Sequence, residues 1–182
     1  MPATHLALLR GINVGTAKRV PMAELKGALE DLGATDVRTL LNSGNVVFSA
    51  KGRGPTAERI QQAVQARTGV SARVTVLKAA EWRAIVEGNP LVDRCENPSR
   101  MLVAVLADAA DLPKAKALVD KHRPGPDSKE AVAVGPRVLY LWCPDGLLDS
   151  PLAEALLGPA LKEAATSRNW GTALKLLAML DA

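Results

Sequence analysis

Cysteine, histidine and aromatic residues are scarce in this sequence of 182 residues. Two cysteines, Cys95 and Cys143, and two histidines, His5 and His122, are too few for a zinc site, a disulfide framework or a Ser/His triad. Aromatic residues make up 3% of the chain, which argues against a surface that stacks nucleic-acid bases. We therefore expect no metal, no cofactor, and reduced, buried thiols.

The sequence also lacks long hydrophobic runs. Its longest apolar stretches, residues 101–107 and 138–143, are far shorter than the ~20 residues that a membrane-spanning helix requires. The apolar stretch at residues 6–9 follows no basic segment, so it is a poor signal peptide and a better first strand. We expect a cytoplasmic protein that does not contact a membrane.

The composition is that of an ordinary globular protein, with 48% hydrophobic and 23% charged residues. The net charge is +4, and residues 1–98 carry the whole excess, with 13 basic against 9 acidic side chains. This charge is a weak argument for nucleic-acid binding, because dedicated binders cluster basic residues along one face. Nucleic-acid phosphate is therefore only one version of a more general anionic ligand.

Hydrophobic periodicity predicts two similar halves. In the first half it predicts the order strand, helix, strand, strand, helix, strand, over residues 4–9, 21–32, 37–41, 46–49, 55–68 and 72–77. In the second half it predicts a strand, a helix, a hairpin and two helices, over residues 100–107, 113–122, 131–134 with 137–143, 152–164 and 170–180. No fourth strand is evident there, so the second copy is expected to end in a helix.

This order is typical of an α+β fold with antiparallel sheets. Each half reads as a split βαβ unit, which is the ferredoxin-like arrangement, so the chain is predicted to contain two such subdomains in tandem. The predicted boundaries are 1–78 for the first subdomain, 79–98 for a helical linker and 99–182 for the second subdomain with its C-terminal helix.

Two polar loops of the first half are expected to meet at one edge of the sheet. A right-handed crossover makes the first two strands of the unit parallel, so the loop at 10–18 and the hairpin tip at 42–45 share that edge. Residues 10–19 include three basic side chains and no acidic one, and glycines and a helix N-terminus at the same edge favour an anion. The equivalent edge of the second half carries Asp108 and Asp111, which repel one.

Three separated motifs resemble a known family. They are Arg-Gly-Ile-Asn-Val-Gly at 10–15 with Val-Pro-Met at 20–22, Asn-Ser-Gly-Asn-Val-Val-Phe at 42–48, and Thr-Ser-Arg-Asn-Trp at 166–170. In this order they resemble DUF1697, a bacterial family catalogued as a domain of unknown function, and the likeness covers nearly the whole chain. The resemblance implies a soluble protein of two ferredoxin-like subdomains and brings no activity with it.

The candidate ligand-binding residues come from the two loops and from the third motif. They are Arg10, Gly11, Asn13, Gly15, Lys18, Asn42, Ser43, Gly44, Asn45, Arg168 and Asn169. Arg168 would bind an anion through two hydrogen bonds, and Asn169 would orient a carbonyl group or a base edge. Each motif also has a structural interpretation: a turn, a hairpin, and a helix start capped by Thr166 or Ser167 with Trp170 in the core.

Three functional hypotheses stay open at this point. The first is a protein that binds a phosphorylated or other anionic ligand at the loop edge of the first subdomain. The second is a group-transfer enzyme that uses Arg10, Ser43 and Arg168, for which Glu24 or Asp36 would have to supply the missing base. The third is a protein-interaction module with an uncovered sheet face. No catalytic residue and no oligomeric state is assigned.

Overall fold

The computed structural model describes residues 2–182, which form eight strands and six helices in two compact units. The first unit contains the chain up to Arg83 together with Leu176–Ala182, and the second contains Ala84–Lys175. Each unit holds one four-stranded antiparallel sheet. The predicted mixed α+β class is therefore confirmed. None of the six helices has the length and hydrophobicity that spanning a bilayer demands.

The first unit is built around a central strand. Its strands are β1 (His5–Arg10), β2 (Thr35–Leu40), β3 (Asn45–Ser49) and β4 (Arg73–Lys78), arranged in the order β2-β3-β1-β4. Helix α1 (Met22–Asp31) joins β1 to β2, α2 (Ala57–Thr68) joins β3 to β4, and α3 (Ala79–Glu87) follows β4. Strand β1 pairs with both β3 and β4, so it lies inside the sheet and can be approached only at its two ends.

The core of the first unit lies between the sheet and helices α1 and α2. Leu25 and Leu29 of α1 and Ile60 and Val64 of α2 are buried against side chains of β1 and β3. Burial of a side chain of this size stabilises the fold by about 1.5–3 kcal/mol. This packing fixes both helices on one face of the sheet.

A double ion pair fastens the two helices together on the outside. Arg67 Nε donates to Asp31 Oδ2 at 2.8 Å, and its NH1 donates to Glu24 Oε2 at 3.0 Å. The hydrogen bond between Arg67 and Asp31 raises the pKa of the arginine and lowers the pKa of the aspartate. Gly27 makes room for the guanidinium, because a Cβ there would lie 2.6 Å from Arg67 NH1.

The second unit has a sheet of the same layout. Its strands are β5 (Met101–Leu106), β6 (Ala131–Gly135), β7 (Val138–Trp142) and β8 (Ala165–Asn169), in the order β6-β7-β5-β8. Its helices are α4 (Leu112–Lys121), α5 (Pro151–Leu157) and the start of α6 (Trp170–Asp181), and single 3-10 turns cover Val92–Arg94 and Ala109–Asp111.

Strand β8 corrects the sequence analysis, which found no strand between the last two helices. The strand pairs with β5 and forms an edge of the sheet, and α6 follows it directly. Its sequence, Ala-Thr-Ser-Arg-Asn, is short and mostly polar. An edge strand needs a partner on one side only, so it can be polar and leave no hydrophobic signal.

His5 is a buried titratable group in the first unit. Its ring is 3% exposed and stacks on Phe48 with 5.4 Å between centroids. Nε2 lies 3.1 Å from the carbonyl oxygen of Arg53, and Nδ1 lies 2.7 Å from Thr4 Oγ1. A neutral ring satisfies both contacts by donating to the carbonyl and accepting from the hydroxyl. Burial lowers the pKa of His5 below its ordinary value of 6.5.

The free energy of unfolding is therefore expected to fall as the pH drops below about 6.5, because the unfolded chain then binds a proton that folded His5 resists. The limiting slope for one proton is about 1.4 kcal/mol per pH unit. Urea unfolding of the wild type and of His5→Gln between pH 5 and 8 measures this contribution as the difference between the two curves. Parallel curves would show that His5 is not responsible.

Ser150 holds the start of α5. Its hydroxyl oxygen accepts from Ala153 N at 2.9 Å, and the hydroxyl donates to Glu130 and contacts Cys143 Sγ at 3.3 Å. Cys143 is a free, fully buried thiol, and its burial raises the pKa of that thiol. The expected burial of the thiol is confirmed at Cys143, whereas Cys95 is only partly buried because it follows a surface 3-10 turn.

Ser150→Ala is expected to lower the free energy of unfolding by about 1–2 kcal/mol, because a helix cap and a buried hydrogen bond are lost together. Ser99→Ala, at an exposed serine, is the matched control and should change it by less than about 0.5 kcal/mol. Equal losses in the two variants, measured by urea unfolding, would contradict the role of Ser150.

Candidate functional site

The loop after β1 and the β2–β3 hairpin tip lie at the same end of the first sheet. Leu9 N donates to the carbonyl oxygen of Gly44 at 2.7 Å, and Asn13 Nδ2 donates to the carbonyl oxygen of Asn42 at 2.7 Å. The meeting of the two loops, which the split βαβ topology predicts, is confirmed. We call residues 10–19 and 41–44, together with Arg73 at the start of β4, the loop rim.

Asn13 closes the first loop as well as joining it to the second. Nδ2 also donates to Val20 O at 2.9 Å, Oδ1 accepts from Val20 N at 2.9 Å, and the backbone N–H donates to Lys18 O at 2.9 Å. The residue has φ 53°, a left-handed conformation that asparagine tolerates well. Both side-chain N–H groups are used within the protein, so Asn13 positions the rim and leaves ligand contact to its neighbours.

Gly44 and Asn45 hold the hairpin tip in the same way. A Cβ on Gly44, which has φ 85°, would lie 2.6 Å from Leu9 Cβ and 2.8 Å from Ile12 Cδ1, so a larger residue does not fit. Asn45 is fully buried, and its Nδ2 donates to Leu40 O at 2.8 Å and to Ser43 Oγ at 2.9 Å. Of the four predicted residues of the tip, only Asn42 and Ser43 are exposed.

Basic side chains gather at the rim. Arg10 and Arg73 lie directly opposite each other on β1 and β4, so their side chains leave the sheet on the same face. Lys18 and Arg19 are exposed in the first loop. The segments 10–20, 41–46 and 69–76 contain no acidic residue. Four basic side chains from two segments therefore lie at this end of the sheet.

The sequence analysis missed Arg73. Its only signal is a place at the start of the predicted fourth strand, and that strand carried no motif. The antiparallel register of β4 on β1 brings it beside Arg10. The strand order of a split βαβ unit would have revealed it, because an antiparallel β4 next to β1 begins where β1 ends.

The rim also exposes two large apolar side chains, one of them on strained backbone. Val14 is 74% exposed and Leu41 is 56% exposed. Leu41 has φ 59°, and a left-handed leucine costs about 1–2 kcal/mol. Neither side chain is part of the core, so burial of the Leu41 side chain does not offset the strain in its backbone. Backbone strain of this kind concentrates at functional sites.

Arg168 and Asn169 lie in the second unit, on β8. Arg168 NH1 donates to the carbonyl oxygen of Ser167 at 2.8 Å, and burial lowers the pKa of Arg168 to about 10. Asn169 Oδ1 accepts from Thr172 N at 2.8 Å and so caps α6. The predicted cap at Thr166 or Ser167 is wrong, because both residues belong to the strand.

The carboxylates that the enzyme hypothesis requires are engaged elsewhere in the first unit. Glu24 binds Arg67, and Asp36 Oδ2 lies 3.3 Å from Arg38 NH2. Within residues 2–182, no group of three His, Cys, Asp or Glu side chains is placed to hold a metal ion. The rim itself presents hydrogen-bonding groups and basic side chains.

Comparison with known proteins gives a family and a fold. Residues 3–140 match the model of a family described as a protein of unknown function, DUF1697. The chain belongs to this family. The resemblance to DUF1697 is thus confirmed over residues 3–140, a range that contains the first two motifs and not the third, at 166–170. A solved structure, that of the conserved bacterial protein SP0830 from Streptococcus pneumoniae, is similar with a TM-score of 0.75 and 22% identity over 99% of each chain. None of the curated proteins compared with the chain matches it.

Asn13→Asp is expected to lower the free energy of unfolding by about 2–3 kcal/mol, because two donated hydrogen bonds are lost and a carboxylate faces two carbonyl oxygens. Asn42→Ala is the control, since it removes an exposed side chain and keeps the carbonyl oxygen that Asn13 binds. Its effect should stay within about 0.5 kcal/mol. Urea unfolding of both variants decides whether Asn13 joins the loops in solution.

Proposed function

We propose that the protein binds a small phosphorylated molecule at the loop rim. The observation that carries this proposal is the bridge from Asn13 to Asn42, which holds both loops at the sheet end where Arg10 and Arg73 emerge side by side. Guanidinium groups bind phosphate oxygens through paired hydrogen bonds. Each such charged contact contributes about 1.5–3 kcal/mol.

The exposed apolar side chains narrow the class of ligand. Val14 and Leu41 flank the residues that join the two loops, Asn13 and Asn42. A ligand with an apolar or aromatic part would cover them, at about 25 cal/mol for each square ångström of apolar surface removed from water. An organic phosphate such as a nucleotide therefore fits the rim better than free phosphate, and nucleic-acid phosphate is the alternative that a titration distinguishes.

Titration of the protein with AMP, inorganic phosphate and a short single-stranded RNA at low salt tests the proposal. AMP is expected to bind more tightly than phosphate, and the double variant Lys18→Ala/Arg73→Ala should weaken AMP binding about tenfold or more. Lys114→Ala/Lys116→Ala removes the same charge from exposed positions of α4 and should leave binding unchanged. If AMP does not bind, or binds both variants equally, the loop rim is not the binding site. If RNA binds and AMP does not, nucleic acid is the favoured ligand.

We also infer that both units are ferredoxin-like. In each, two helices connect pairs of parallel strands that are separated in the sheet by a strand antiparallel to both, and the strand orders β2-β3-β1-β4 and β6-β7-β5-β8 correspond element by element. The subdomain boundaries at 78 and 98 stay predictions. The cytoplasmic location is also a prediction, and the two free cysteines, Cys95 and Cys143, support it.

A further inference from the structure

A second candidate site lies at the opposite end of the first sheet from the loop rim. A cavity of about 720 Å³ opens where β1 begins and β3 ends. Its walls come from four segments: 2–4, 32–35, 49–51 and 54–59. A smaller cavity of about 320 Å³ shares Thr35 and Ser49 with it and extends to Asp36 and Arg38. We call the two together the distal cleft.

The larger cavity has cations without counter-ions. Lys51 and Arg59 line it, and neither side chain has an ion-pair partner among residues 2–182. No acidic residue lines this cavity, and Thr35 and Ser49 contribute hydroxyl groups. The hydroxyl of Thr4, which also lines it, already donates to His5. Two positive charges without ion-pair partners, in a cavity that is also lined by hydroxyl groups, favour a ligand with a doubly charged anionic group.

Arg38 adds an unsatisfied donor to the smaller cavity. Its NH2 group donates to Met179 O at 2.8 Å and lies 3.3 Å from Asp36 Oδ2. Its Nε is buried and has no hydrogen-bond partner. A buried donor left unpaired costs about 1–3 kcal/mol, and such groups are rare in folded proteins.

The remaining walls are apolar. Leu32, Ala50 and Pro55 face the larger cavity, and its volume falls within the range of about 300–1,000 Å³ that is usual for sites of small organic ligands. The cleft therefore combines an anion-binding side with an apolar side. Sequence patterns do not mark it, because its walls come from the ends of separate strands and helices.

We propose that the distal cleft binds the phosphomonoester of a small organic molecule, with the phosphate at Lys51 and Arg59 and the organic part against Leu32 and Pro55. The site is separate from the loop rim and does not depend on the function proposed there. It shares no residue with the rim, so each can be removed while the other is kept.

The probe is phenyl phosphate, which carries a doubly charged phosphate on an apolar ring, compared with inorganic phosphate. Calorimetry at low salt measures affinity, and amide chemical shifts report the place of binding. We expect phenyl phosphate to bind more tightly than phosphate and to shift the amides of Thr35, Ser49 and Lys51. Lys51→Ala/Arg59→Ala should weaken binding about tenfold or more.

Two control variants separate this site from the rim. Lys18→Ala/Arg73→Ala should leave the shifts at Thr35 and Ser49 unchanged, whereas Arg59→Lys should retain most of the affinity because it keeps the charge. All substituted positions are exposed, so the thermal unfolding midpoint should stay constant. Shifts confined to the rim, an unchanged affinity in Lys51→Ala/Arg59→Ala, or no shift at millimolar phenyl phosphate would each overturn the proposal.

Discussion

The side-chain amide of Asn13 is the interaction on which the loop rim depends. It donates to Val20 and Asn42 and accepts from Val20, while its own backbone is left-handed. Asparagine suits this position because it offers donors and an acceptor on a short side chain and tolerates positive φ. Aspartate lacks the donors, and glutamine reaches too far. The polar loops, the entry to α1 and the hairpin tip are thus held together by one residue.

The first sheet presents different chemistry at its two ends. Strand β1 is fully buried from Leu6 to Leu9, so ligands can approach only where it begins and ends. At its end lies the loop rim, which contains arginines on adjacent strands and the exposed side chains of Val14 and Leu41. At its beginning, a hydroxyl-lined cleft carries Lys51 and Arg59. Both ends carry basic side chains, which agrees with the charge excess in the first half of the sequence, and they share no side chain.

Features that depend on neighbouring residues could be predicted from the sequence, whereas features that depend on distant segments could not. The elements of the first half and the meeting of its two loops followed from periodicity, turn residues and one topological rule. Asn13 and Asn45 were identified as candidate ligands, yet their amides bind the protein itself, because a pattern cannot show which partner a polar group finds. Strand β8 was missed because a polar edge strand has no apolar face to detect. Arg73 was missed because it lies beside Arg10 only in the register of the folded sheet.

The sequence alone determined the order of the elements in the first half, the turn at the hairpin tip and the absence of acid from the rim loops, since each is a property of neighbouring residues. Only the tertiary structure decided that Arg10 faces Arg73, that Arg38 Nε is buried without a partner, and that a cavity opens beside Lys51 and Arg59. These features depend on which distant segments lie side by side. Strand register and packing set that arrangement, and both emerge only when the whole chain has folded.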